Sequence, residues 1–155
     1  MASRCRVTGP GVVKRYLSKI SGPLLDRIDL HVEVTPVSYE ELAQYDAPAR
    51  TSKEIVDGVI RSRIIQAERF KDYKGVFCNA QMPSRLVREV CQLNTAGVAL
   101  LKKAMEVQKL SARAYDRILK VARTSADLAA SADIKIEHIA EAIQYRSLDR
   151  EGWAG

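Results

Sequence analysis

The chain is 155 residues long, 46% hydrophobic and 28% charged, with only 6% aromatic residues. These are ordinary globular proportions, and they exclude a disordered, collagen-like or disulfide-stapled chain. Its 25 Lys and Arg against 19 Asp and Glu give a net charge of +6, which admits an anionic partner such as nucleic acid or ATP without requiring one.

The charge is unevenly spread. Arg4, Arg6, Lys14, Arg15 and Lys19 stand in the first 20 residues with no acid among them. Residues 124–155 hold three cations and six acids, so the first 123 residues carry +9 and the rest −3. Cys5, Cys78 and Cys91 show no C-x-x-C spacing, and His31 and His138 lie far apart. That distribution predicts no metal site, and reduced thiols of a cytoplasmic protein rather than a disulfide framework. No apolar run approaches the ~18 residues of a membrane span, and no secretory signal follows Met1. Neither a membrane nor an export route is expected.

Gly22-Pro23 marks a turn or a helix start with Pro in the first helical position. Asp29-Leu-His-Val-Glu-Val34 alternates as a strand, with Leu30, Val32 and Val34 on one face. A lone strand needs a sheet, and the chain offers almost no other. Pro36 ends it, and Ser38-Tyr-Glu-Glu41 reads as a capping box opening a short helix. Residues 46–51 read as a linker. Beyond it everything is helical. Ser52 caps a helix to about Lys71 whose stripe is Ile55, Val56, Val59, Ile60, Ile64 and Ala67. Ser84 caps Arg85–Leu93, Thr95 caps Ala96–Gln108 with Leu100, Leu101, Ala104 and Val107 inward, and Ser111 caps Ala112–Ala130. In that last helix Tyr115, Ile118, Leu119, Ala122, Ala126 and Ala129 form the core face. A final helix spans about Ile136–Arg146. The fold class is therefore mainly α. A helical bundle over 52–147 follows the last helix and strand of an α/β domain over 1–45, and a tail over 148–155 ends the chain.

Two groups of residues could carry chemistry. Arg27 is set between Asp26 and Asp29 immediately before the strand. On residues alone it is either held by surface salt bridges of little energetic weight or placed on a domain rim facing an anion. Arg113, Arg117 and Lys120 share one face of the Ser111-capped helix. They are either a solvated basic stripe or, for Arg113 in the first turn, a group at a helix N-terminus where anions are favoured.

Ile20-Ser-Gly-Pro-Leu-Leu-Asp-Arg-Ile-Asp29 closely resembles the end of the ATPase core in magnesium-chelatase-like AAA+ proteins, in their competence-type (ComM-like, YifB-like) branch. Asn79-Ala-Gln-Met82, Leu110–Thr124 and His138–Arg146 resemble the lid of the same branch, in the same order, so the resemblance covers about residues 12–147. It implies an ATPase with ATP and Mg²⁺ as cofactors, assembled as a homo-oligomeric, hexameric ring and coupled to DNA processing. Arg27 then stands at the arginine finger that reaches the neighbouring subunit's ATP. The resemblance places Arg113 at the lid's sensor-2 arginine with Arg117 as a further candidate nucleotide ligand, while adjacency alone makes Asp26 and Asp29 candidates to orient Arg27. The branch's closely spaced cysteine pair is represented only by Cys5. The sequence has no G-x-x-x-x-G-K-[ST] phosphate loop and no apolar strand ending in paired acids. The chain alone is therefore expected to bind neither ATP nor Mg²⁺ and to be inactive, as a C-terminal piece of a longer ATPase. The alternative is a stand-alone basic helical module that binds nucleic acid.

Overall fold

Thr51 fixes where the helical region begins. Its hydroxyl accepts the Glu54 amide at 3.3 Å, and the Glu54 carboxylate accepts the Thr51 amide at 2.7 Å, a reciprocal box that starts helix α1, Ser52–Phe70. The donated Thr51 amide and hydroxyl hold the Glu54 carboxyl below its usual range. The computed structural model describes residues 50–146, and before them 24, 27–32, 34 and 36–39. Cys5, Asp26, the capping partner Glu41 and the 148–155 tail lie outside the described residues.

After α1 the chain turns through Gly75, whose φ of +80° is one that an L side chain resists. A 3₁₀ turn, Asn79–Gln81, precedes α2, Ser84–Val90, and α3, Thr95–Gln108. Helices α4, Ala112–Leu128, and α5, Ile136–Gln144, complete the bundle. Several caps sit one residue earlier than the sequence pattern suggests. Thr51 and Asn94 take the roles expected of Ser52 and Thr95, Asn94 Oδ1 accepting the Gly97 amide at 2.8 Å. Pro83, not Ser84, precedes α2. Ser111 caps α4 as expected, accepting the Ala114 amide at 3.1 Å.

The strand anticipated over 29–34 forms no ladder among the described residues. The isolated β-type pairing there is the parallel bridge between Leu93 and Ile134. The His31 amide donates instead to the Tyr145 carbonyl, 2.8 Å away at the end of α5. Among the described residues the segment takes its backbone partners from the end of the last helix.

Helix α4 is central: it packs on α5, α1, α2 and the 3₁₀ turn, while α3 packs on α5. At Gly97 the approach of α3 to α5 is so close that an added Cβ would lie 2.7 Å from Ile139 Cδ1. Ile118, Leu119, Ala122 and Ala126 are buried as expected, with Ile139 and Ile143 facing them from α5. Three expected core residues are not: Tyr115 stands partly out, its inward place taken by Ala114, and Val107 and Ala129 are exposed.

Helix α1 reverses the expectation altogether. Ile55, Val56, Val59, Ile60 and Ile64 are all exposed, about half or more of each, and Ser62, Gln66 and Phe70 face inward. The reason is a buried carboxylate. Asp127 of α4 is 2% exposed and receives Arg69 of α1 in a bidentate pair, with Nη1 to Oδ2 at 2.7 Å. It also receives Arg123 Nε at 3.1 Å and Asn79 Nδ2 at 2.8 Å. Asn79 Oδ1 takes Arg69 Nη1 at 3.0 Å, its amide donates to Gln66 Oε1 at 3.1 Å, and Gln66 Nε2 donates to Ser62 Oγ at 3.1 Å. Arg123 completes its bonding on the Ala132 and Ser131 carbonyls, at 2.7 and 2.6 Å. The chain turns those carbonyls toward it just after Ala130, which adopts a φ of +51°. Polar side chains on α1 point inward because the acceptor they need is there.

Removing one partner of such a set leaves uncompensated buried charge. Asp127→Ala is expected to cost ~3–5 kcal/mol in urea unfolding, since two arginines lose their carboxylate. Ile64→Ser, on the exposed face, is expected to stay within ~0.5 kcal/mol of wild type by the same measurement.

Candidate functional site

The short link between α3 and α4 positions Arg113. Lys109 takes a left-handed conformation (φ 49°, ψ 42°) that closes α3, with the Leu110 amide on the Met105 carbonyl at 3.1 Å. Ser111 then caps α4, and Arg113 falls in its first turn beside the free amide ends. Its side chain is exposed and has no hydrogen bond or ion pair among the described residues. Arg27 is likewise exposed and without a side-chain partner among them, and its amide closes a turn on the Leu24 carbonyl at 3.0 Å.

Arg117, one helical turn beyond Arg113, is ion-paired with Asp29. Asp29, expected to orient Arg27, thus spends its carboxylate on α4. Lys120, the third member of the basic stripe, donates to the Ala80 carbonyl at 2.9 Å and ties α4 to the 3₁₀ turn. Of the three stripe cations only Arg113 presents a head unengaged among the described residues. Beside the Asp29–Arg117 pair, Asp29 and Leu30 border a groove of about 270 Å³ walled by Lys120, Thr124, Glu141 and Tyr145.

Two further residues hold residues 28–31 in place. Arg146 is 1% exposed and donates to the Ile28 carbonyl, and His31 is buried at the same end of the domain. Sequence reasoning left both unassigned, although Arg146 closes the run His138–Arg146. Arg123 and Asp127 were also missed, although their i,i+4 spacing of opposite charge was present in the sequence. His138 serves α5, which lacks a conventional cap: its Nδ1 accepts the Lys135 amide at 3.1 Å.

Among the described residues no three His, Cys, Asp or Glu side chains come together as metal ligands. Cys78 and Cys91 are free thiols. Burial pushes the Cys91 thiol up to about 11, against the opposing pull of Arg123 and Arg69. Among those residues no helix is long and apolar enough to cross a membrane.

Residues 49–146 match the family model described as magnesium chelatase, subunit ChlI C-terminal, and residues 1–42 match magnesium chelatase, subunit ChlI. The chain belongs to the magnesium chelatase ChlI family. Within it, the chain is 39% identical over 143 residues to Competence protein ComM of Haemophilus influenzae, covering 92% of this chain and 27% of that protein. It is 35% identical over 141 residues to the uncharacterized protein YifB of Escherichia coli, covering 91% and 27%. A Mycobacterium tuberculosis relative, also uncharacterized, is 32% identical over 133 residues, covering 86% and 26%. The chain thus spans about a quarter of the length of these ChlI-type relatives. The ChlI C-terminal match begins two residues before the Thr51 cap and ends at the buried Arg146, coinciding with the helical bundle. The expected likeness to the magnesium-chelatase-like, ComM/YifB-type proteins therefore holds over most of the chain.

Cys91 gives this ChlI-type bundle a measurable alkaline limit. Its folded value of about 11 lies above the ordinary 9.0, so the folded thiol keeps its proton where the unfolded one loses it. The resulting stability is fully present below pH 9 and is lost as pH rises to 11. Urea unfolding at pH 8 and pH 10.5 is expected to show wild type losing about 2 kcal/mol more than Cys91→Ala over that interval.

Proposed function

We propose that this chain supplies the helical lid and an arginine-bearing edge of a ring-forming AAA+ ATPase whose phosphate loop and Mg²⁺-binding acids are carried elsewhere in such a protein. Arg27 contacts the γ-phosphate of ATP held by the neighbouring subunit, and Arg113 contacts the phosphates under its own lid. The observation that carries the reading is the placing of two exposed guanidinium groups, unpaired among the described residues: Arg113 in the first turn of α4 and Arg27 in the stretch resembling the end of the ATPase core, whereas the likewise exposed Arg61, Arg63, Arg85 and Arg88 lie in neither place. Arg69, Arg117, Arg123 and Arg146 are all engaged by protein acceptors.

The physical fit is straightforward. A guanidinium is permanently charged and presents a planar fork matched to phosphate oxygens. Arg113 adds to this the first turn of a helix, where free amides and the helix dipole favour an anion. Arg27 supplies positive charge where negative charge grows on the transferring phosphoryl oxygens, and Mg²⁺ bound by other residues would neutralise the rest. Neither arginine needs to transfer a proton. Alone, the chain turns over no ATP.

The coupled work is DNA processing in this reading. It is supported by the competence protein among the relatives and by the +9 carried by residues 1–123. A stand-alone DNA-binding module is less well supported, because many cations already have partners: Lys71 with Glu68, Lys102 with Glu106, Lys135 with Glu137.

The test joins this chain to the phosphate-loop portion of a magnesium-chelatase-type ATPase and measures ATP turnover. Arg27→Ala is expected to lower kcat by ~10³-fold or more with little change in nucleotide affinity, the range lost with comparable fingers. Arg113→Ala is expected to weaken nucleotide binding by ~10-fold, as loss of one charged hydrogen bond does. Unchanged turnover in Arg27→Ala overturns the assignment.

A further inference from the structure

Three contacts converge on residues 28–31 from one end of the helical domain. The Asp29 carboxylate pairs with Arg117 of α4, 88 residues later. The Ile28 carbonyl accepts from Arg146, and the His31 amide donates to the Tyr145 carbonyl at 2.8 Å. An exposed ion pair alone would hold little. Here it is the outer member of a set whose inner members are buried, Arg146 at 1% and His31 at 5% exposure. A hydrogen bond to a buried charge is strong and is hard to give up, because the cation would be left without its acceptor. His31 is buried beneath the segment, and among the described residues its ring nitrogens have no hydrogen-bond partner.

We propose that Asp29, Arg117 and Arg146 form a clasp that holds the Arg27-bearing segment against α4 and the end of α5, which makes Arg117 and Arg146 positioning residues for Arg27. The inference rests on the role given to Arg27 above. Arg27 is one residue from the anchored Ile28 carbonyl and two from the anchored Asp29. Two residues of chain span at most ~7 Å, so anchoring at 28 and 29 leaves the Arg27 backbone little room to wander. A group that must meet a phosphate held by another subunit gains from this, since ~1 Å of misplacement can cost ~100-fold in rate. The clasp also sets the direction of coupling. Arg113 precedes Arg117 by one turn of the same helix, so a displacement of α4 carries both the Arg113 head and the Arg27 stem.

Amide exchange in the 155-residue chain reads the clasp directly, through the His31 amide. Arg117→Ala and Asp29→Ala are each expected to accelerate His31 exchange at least ~10-fold while amides in the middle of α4 keep their protection. The swapped pair, Asp29→Arg with Arg117→Asp, is expected to return His31 exchange to within ~3-fold of wild type, because the attraction is restored with reversed sign. Arg146→Ala risks unfolding a buried site, so the two surface variants decide. Unchanged His31 exchange in both overturns the clasp.

The positioning role is read in the joined ATPase. Arg117→Ala is expected to lower kcat toward the Arg27→Ala level with KM for ATP unchanged, to add nothing in an Arg27→Ala background, and to be rescued by the swap. Accelerated exchange with normal kcat in Arg117→Ala overturns positioning even where Arg27→Ala is inactive. Normal kcat in Arg27→Ala instead removes the nucleotide role of Arg27, and with it the positioning role, whatever the exchange shows.

Discussion

Asp127 is the charge on which the arrangement of the bundle turns. One carboxylate on α4 gathers Arg69 from α1, Arg123 from its own helix and Asn79 from the 3₁₀ turn. Arg123 in turn gathers the carbonyls that begin the passage to α5. Four parts of the chain, with α2 and α3 intervening, are thereby held in one angular setting. Apolar packing fills volume but tolerates rotation of a helix about its axis. A bidentate pair whose remaining donors and acceptors are also satisfied does not. This set does not have to be the largest source of stability to fix the geometry, since a buried ion pair can be no better than a well-packed apolar substitute. What it fixes is which side of α1 faces inward.

That dependence explains where the sequence was legible and where it was not. The number, order and approximate limits of the helices could be read, because period, caps and turn residues are local properties. Ser111, with its reach to Ala114, needs only four residues to be recognised. The inward face of α1 is not local. Ile55, Val59 and Ile64 repeat with helical spacing, but so do Ser62, Gln66 and Arg69. The choice between the two faces is made by Asp127, 58 residues beyond Arg69. A hydrophobicity rule selects the wrong face because it treats the polar set as something to be solvated, whereas α4 already supplies its acceptor. The segment 29–34 also has its described contacts far away in the sequence. Its alternation is that of a strand, and among the described residues its His31 amide meets the Tyr145 carbonyl at the end of α5.

The candidate site shows the same division. The place of Arg113 in the first turn of α4 was readable from the Ser111 cap, and its head is exposed. Arg117 sits at an equally plausible spacing, yet its partner is Asp29, 88 residues earlier. No spacing rule could assign that contact. Arg146 was visible only as the last letter of a run resembling the family, and its burial is what gives the letter a physical meaning.

The exposed side of α1 follows from the same constraint. With Arg69, Gln66 and Ser62 turned inward, Val59, Ile60 and Ile64 line an open groove of about 600 Å³ against Phe77 and the Tyr73–Val76 turn, bordered by Arg63, Lys71 and Lys74. Apolar surface of this continuity is unusual on a solvated helix and is characteristic of contact surfaces. The net charge of +6, taken at face value, says only that an anion is welcome. Distributed over the structure it says more. Arg69, Arg123 and Arg146 build the interior, Arg117 and Lys120 tie segments together, and several surface lysines are neutralised by nearby acids. The same engagement takes these cations out of contact with a bound anion, while Arg27, Arg61, Arg63, Arg85, Arg88 and Arg113 keep exposed heads. Among these, Arg113 stands in the first turn of the Ser111-capped α4, where an anion meets the free helix amides as well as the guanidinium.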